Sequence, residues 1–271
     1  SSTTNKLLPF LPMPLIQILL GIGIGLCLPN NQYHLDTELF LALVIGPLLF
    51  REAQEADVTS ILKHWKIVLY LIFPVIFVST LSMGGLAHVL WIGLPLAACV
   101  AVGAALGPTD LVAFTSLSER FTFPKRISNI LKGEGLLNDA SGLIAFRVAL
   151  IAWTTGTFSI TQAGISLAIS IVGGLAVGLM TALINRFLHS FLLSVRATDI
   201  ASELLLDLSL PLLTFFIAEG IHVSGIIAVV VAGILKASRF KKINLLEAQV
   251  DTVTETVWHT VTFMLNGSVF V

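Results

Sequence analysis

Apolar residues run through this chain in long stretches separated by short polar loops. About 20 apolar residues in a helix cross the roughly 30 Å hydrocarbon core of a bilayer. The pattern predicts spans over 8–29, 36–50, 66–83, 88–118, 127–153, 162–190, 203–220 and 223–236, with a ninth starting near 256 and still apolar at Val271. The second is short for a crossing. The first leads straight into further spans, so it reads as a span and not as a cleaved signal. Between Asn244 and Thr256, apolar Leu246, Val250, Val253 and Val257 recur at helical spacing among polar residues. That stretch predicts an amphipathic lead-in lying on the cytoplasmic surface.

Composition narrows the class further. Of 271 residues, 56% are hydrophobic and 11% charged, against about 25% charged in soluble domains. Soluble and disordered readings fall away, and a net charge of −1 leaves no basic excess to meet nucleic acid. Cys27 and Cys99 sit inside apolar runs, as packing residues do. The expected fold class is all-α, a polytopic transmembrane helical bundle.

Loop charges give an orientation. Arg51, Lys63 and Lys66 fall between spans two and three, and Arg120, Lys125, Arg126 and Lys132 between four and five. Arg186 and Arg196 fall between six and seven, and Lys236, Arg239, Lys241 and Lys242 between eight and nine. Lys6 precedes span one. The alternate loops, near 30–35, 84–87, 154–161 and 221–222, carry no Lys or Arg. Under the positive-inside rule the N-terminus and all basic loops are cytoplasmic.

Ionisable groups at bilayer depth are costly and mark pathways more often than packing. Span four is too long for one straight crossing and contains Gly107-Pro108-Thr109-Asp110. Pro108 has no N–H and clashes with the preceding turn, so the helix is expected to unwind there. Unwound backbone at membrane depth survives where it lines a cavity or a site, and its freed carbonyls can ligate a cation. A simple kink, with Thr109 and Asp110 capping the second segment, is the competing reading. Span five contains Gly133-Glu134-Gly135-Leu136-Leu137-Asn138-Asp139. Helical spacing sets Glu134 under Asn138 and bare Gly135 under Asp139. A carboxylate so placed is tolerable if it binds a proton or a cation. If the two compete, the site exchanges one for the other. A carboxylate paired with a base for structure alone is the alternative. Arg147 is eight residues on, about 12 Å along the helix axis, so it is expected to meet a carboxylate from another span or to reach outward. Asp207 and Glu219 in span seven, and His88, His189, His222 and His259 near span ends, are weaker candidates. Gly21 with Gly25, and Gly174 with Gly178, read as helix-packing faces.

Gly107-Pro108-Thr109-Asp110-Leu111-Val112-Ala113 followed by Gly133-Glu134-Gly135-Leu136-Leu137-Asn138-Asp139 resembles the bacterial monovalent cation:proton antiporters, the sodium/proton exchanger family. Gly46-Pro47-Leu48-Leu49-Phe50, Ser224 to Gly233, and Phe263-Met264-Leu265-Asn266-Gly267 look similar too. The resemblance implies an inverted-repeat fold with a discontinuous helix near 107–110, a single transporter domain over 1–271, and about eight complete spans plus a partial ninth. It implies that Asp139 is the shared carboxylate for proton and cation, with Asp110, Thr109 and Asn138 completing the site and Thr109 as a cation ligand. Glu134, Arg147 and Glu52 would support them, Glu52 standing one position later than in many relatives. Gly135 replaces a serine often found there, which removes one hydroxyl. Asn-Asp in place of two aspartates implies electroneutral exchange of Na⁺, K⁺ or Li⁺ for H⁺ by alternating access, serving pH regulation. No further cofactor is implied. The expected setting is the cell (inner) membrane, with the lipid bilayer as partner, a homodimer, and no nucleic acid. The chain stops inside span nine, so a truncated remnant that does not transport is a second expectation. An intramembrane aspartyl protease using Asp110 and Asp139 is a third, but its usual motifs are missing, so the chain is not expected to be an enzyme.

Overall fold

The structure is a computed structural model that describes residues 13–27, 36–56, 63, 65–108, 123–155, 160–194, 200–237 and 245–270. Among them there is no strand. The helices are α1 Met13–Cys27, α2 Thr37–Phe40, α3 Gly46–Glu55, α4 Trp65–Leu90, α5 Leu96–Leu106, α6 Lys125–Thr155, α7 Ile160–Ser194, α8 Ile200–Gly220, α9 Gly225–Ala237 and α10 Leu245–Phe270. Asp36 caps α2, its carboxylate accepting from the Glu38 and Leu39 N–H groups. A π-helical turn, Leu41–Ile45, joins α2 to α3, and the Gly46 N–H bonds to the Leu41 carbonyl five residues back. Pro47 explains it, because a proline ring collides with the carbonyl four residues earlier and the chain widens to avoid it.

The helices pack in two groups. In one, α5 lies between α4 and α6. In the other, α9 packs on α3, α7 and α8, with α10 against α3 and α8. Helix α6 touches α7 and α3, which joins the groups. Lipid tails are as apolar as leucine, so membrane helices associate by close backbone approach at small residues. The α5 face is of this kind, with Ala98, Ala101, Gly103 and Ala104 buried. Gly103 lies so close to the Thr80 carbonyl of α4 that a Cβ has no room. The second group holds the larger core, where Phe50, Phe215, Val229 and Trp258 are buried and the Phe50 and Trp258 rings lie 5.8 Å apart. Thr214 of α8 donates to Thr181 of α7 at 3.0 Å.

Outward surfaces are apolar. Leu19, Tyr70, Phe77, Ile169, Phe187 and Leu205 are exposed, a pattern that suits lipid and not water. By length and composition alone, Ala168–Leu192 and Ile200–Gly220 are membrane-crossing helices, and Pro74–Leu90, Leu96–Leu106, Ala145–Thr154 and Gly225–Ala237 are shorter apolar stretches. Helix α6 is long enough, at 31 residues, but Lys132, Glu134, Asp139 and Arg147 interrupt its apolar character.

One expectation needs correction. The loop expected near 84–87 is helical, and the chain turns instead at 91–95, where Gly93 has φ 109°. Gly84 is there for packing: a Cβ would stand 2.9 Å from the Cys99 carbonyl of α5. The turn at 91–95 also lacks Lys and Arg, so the charge alternation survives. The expected lead-in is helical. It runs without a break into α10, Leu245–Phe270. Among the described residues nothing lies within 4 Å of a Cβ built on Gly25. Gly174 and Gly178 do pack, on α9. A Cβ on Gly174 would stand 2.8 Å from the Ser224 carbonyl. Gly174→Leu is therefore expected to force α7 off α9 and cost several kcal/mol, since overpacking alone costs about 1–3 kcal/mol. Purified protein should lose its monodisperse peak in size-exclusion chromatography, whereas lipid-facing Leu175→Ala should not.

Candidate functional site

The site is built on α6. A buried amide on a membrane helix must find a hydrogen-bond partner, because no water replaces it. Asn138, wholly buried, donates from Nδ2 to Glu134 Oε1 at 3.1 Å, one turn earlier on the same helix. Glu134 is buried too, at 6% exposure, and Gly133 and Gly135 beside it are buried. Ser141 donates from Oγ to the Asn138 carbonyl at 3.0 Å. The helix thus presents a buried polar strip over one to two turns. Asp139 lies within α6, next to Asn138. Its side chain is outside the described residues.

Helix α5 runs to Leu106 and ends there, with Gly107 still in helical conformation. The Gly107-Pro108 corner is seated between two neighbours. Gly107 lies against Ser79 of α4, whose Oγ would be 2.8 Å from a Cβ. Pro108 lies on Gly142 of α6: a Cβ at 142 would meet the proline ring, with Cδ at 3.3 Å and the Ala104 carbonyl at 3.4 Å. Gly142 is one turn beyond Asn138, about 6 Å along the axis. So the point where α5 stops is held against the α6 segment that carries Asn138 and Asp139. Thr109 and Asp110 follow Pro108 directly in the chain and lie outside the described residues.

Gly142→Val is expected to push Pro108 away and disturb the site more than the fold. The check is cation-driven proton movement in vesicles, which should fall several-fold, beside a chromatographic profile that stays monodisperse. Gly142→Ala should fall between the two.

The remaining candidates are placed as follows. Arg147 reaches across to α8, its guanidinium donating from Nη2 to Glu219 Oε1 at 3.0 Å and from Nη1 to Oε2 at 3.4 Å. Glu52 is half-buried within α3, a helix of the other group that touches α6. His189 of α7 pairs with Glu203 of α8 at 3.2 Å. Asp207, at 5% exposure, is ion-paired with Lys236 of α9 and accepts from the Trp258 Nε1–H at 2.7 Å. That cluster was not foreseen, although a carboxylate in an apolar span is itself the signal for a partner nearby. The seating role of Gly142 was missed as well. Its clue was a glycine one turn past a polar pair, facing a proline on the preceding span.

An all-helical bundle in which α5 stops at Gly107-Pro108 against the α6 segment of the buried Asn138 has the architecture of a membrane transporter. The family model described as sodium/hydrogen exchanger, transmembrane, matches residues 3–271. The chain belongs to that family, whose members are transporters and not enzymes. It is 36% identical over its whole length to the sodium, potassium, lithium and rubidium/H⁺ antiporter of Bacillus subtilis (strain 168). Its identity to the protein of the same description from Bacillus pumilus (strain SAFR-032) is 37%. It covers 40% of each of those two proteins, so it spans well under half the length of these curated relatives. The fold matches the sodium proton antiporter MjNhaP1 from Methanocaldococcus jannaschii with a TM-score of 0.67 and 18% identity, covering 99% of this chain and 64% of that one.

Proposed function

We propose that this chain carries the ion-site part of an antiporter that exchanges a monovalent cation for a proton. The observation that supports it best is the seating of the Gly107-Pro108 corner on Gly142, one turn from a wholly buried Asn138. That seating brings the chain leading into Thr109-Asp110 up to the helix of Asn138-Asp139. Asp139 takes the proton or the cation, one excluding the other. Thr109 and Asp110 supply oxygen ligands from the broken helix, and Asn138, fixed by Glu134, holds the segment in register. One cation per proton, Na⁺ with K⁺ or Li⁺ as alternatives, follows from a single ionisable group in the Asn-Asp pair. Exchange proceeds by alternating access, the α4–α5–α6 group moving against the other helices. The protein works as a homodimer in the cell membrane with its N-terminus in the cytoplasm. The names of the Bacillus relatives, which specify exchange of alkali cations for H⁺, agree with this reading.

The test is reconstitution, in the longest form the gene encodes, into vesicles holding a pH-sensitive dye. Pulses of Na⁺, K⁺ or Li⁺ should move protons outward through the protein, and choline should not. Proton movement that is the same for choline as for all three alkali cations overturns the proposal.

A further inference from the structure

The charge on Arg147 lies inside a membrane helix, where it is costly unless paired. Its partner is Glu219 at the end of α8, met by two hydrogen bonds, the geometry in which guanidinium and carboxylate pair best. Glu219 has a second attachment. Its Oε1 accepts the Gly225 N–H at 3.1 Å, in the first turn of α9, where the helix dipole favours a negative charge. Glu219 is therefore held by α8 and α9 together, both in the second helix group. Arg147 is carried by α6, the helix of Asn138 and Asp139, in the first group. The pair is a bridge between the helix that holds the site and two helices of the second group, α8 and α9. It lies two turns from the Thr155 end of α6 and beside the turn at 221–224. That is the end opposite the basic loops.

We propose that Glu219 is a positioning residue of the site, acting through Arg147 to hold α6 against α8 on the face away from the basic loops. With the two groups clamped on that face, the site opens toward the basic-loop face, and passage to the opposite state requires the pair to part. This rests on the exchange reading, because only a protein with two access states has a use for such a clamp. A pair that serves folding alone would behave differently. Removing one partner would strand a charge and destabilise the protein, and removing both would restore it without moving any equilibrium.

The experiment compares Arg147→Met, Glu219→Gln and the double variant. Glutamine at 219 keeps an oxygen for the Gly225 N–H. Each variant carries Ala145→Cys as a probe on α6, with Cys27 and Cys99 replaced by serine, in the longest encoded form reconstituted in liposomes. A membrane-impermeant maleimide is added from either face and the labelling rates are compared, with thermal stability measured alongside. The double variant should keep the parent stability and shift the ratio toward the face opposite the basic loops by about 5-fold or more, the size of an ordinary coupling between sites. Either single variant should give the same shift, with no further gain on combining them. A double variant that labels like the parent overturns the clamp, whatever the single variants do. Labelling needs no transport, so the expected shift in a protein that moves no protons with any cation would sink cation/proton exchange as the activity, while the two access states and the clamp between them would stand.

Discussion

Asp139→Asn is expected to reduce cation-driven proton movement to that of empty vesicles while the protein remains folded. The amide has the shape of the carboxyl group, so packing around α6 is preserved. It has no proton to exchange near neutral pH and no charge to offer an alkali ion. A neutral side chain is also cheaper than a carboxylate at bilayer depth, so stability should hold or rise. The decisive pair of measurements is dye quenching after a Na⁺ pulse and the midpoint of thermal unfolding in the same detergent. Exchange that persists in Asp139→Asn removes the single-carboxylate mechanism. Collapse of the unfolding midpoint would instead assign Asp139 a structural pairing. Asn138 has the opposite character. Its amide is wholly buried and bonded to Glu134, so truncating it is expected to weaken folding and exchange together.

The span pattern carried most of this fold. Helices α7, α8 and α9 fall within a few residues of the apolar runs that predicted them, because each run is bounded by charges or by a polar turn. The misplaced loop at 84–87 shows where that reasoning stops. Two adjacent glycines suggest a break in water, but in a membrane helix they also permit close approach, and Gly84 against the Cys99 carbonyl is such a contact. At the site, the buried strip on α6 was legible because Glu134 and Asn138 are four residues apart on one helix. The partner of Arg147 was not. A lone arginine in a span demands a carboxylate, but choosing Glu219 requires knowing that α6 meets α8, and no local pattern contains that.

Lys236→Met is expected to be among the most destabilising single changes in the chain outside the site. The loop-charge pattern places Lys236 with the cytoplasmic basic residues, yet it occupies the last turn of α9 with only 18% of its side chain exposed. It pairs with Asp207 of α8, whose side chain is 7% exposed. The second oxygen of Asp207 accepts from Trp258 of α10, so three helices meet at one carboxylate. Removing the lysine leaves that carboxylate charged and nearly dry, a change that costs about 3–5 kcal/mol where a buried pair is broken on one side. Asp207→Asn should cost less, because the amide oxygen still accepts from the indole. The double change Asp207→Asn with Lys236→Met should recover most of the loss, since no unpaired charge remains. Unfolding midpoints in detergent should therefore rank the parent and the double variant highest, Asp207→Asn below them and Lys236→Met lowest. If Lys236→Met unfolds with the parent, the pair is solvated and the three helices are held by the Phe50 and Trp258 packing alone.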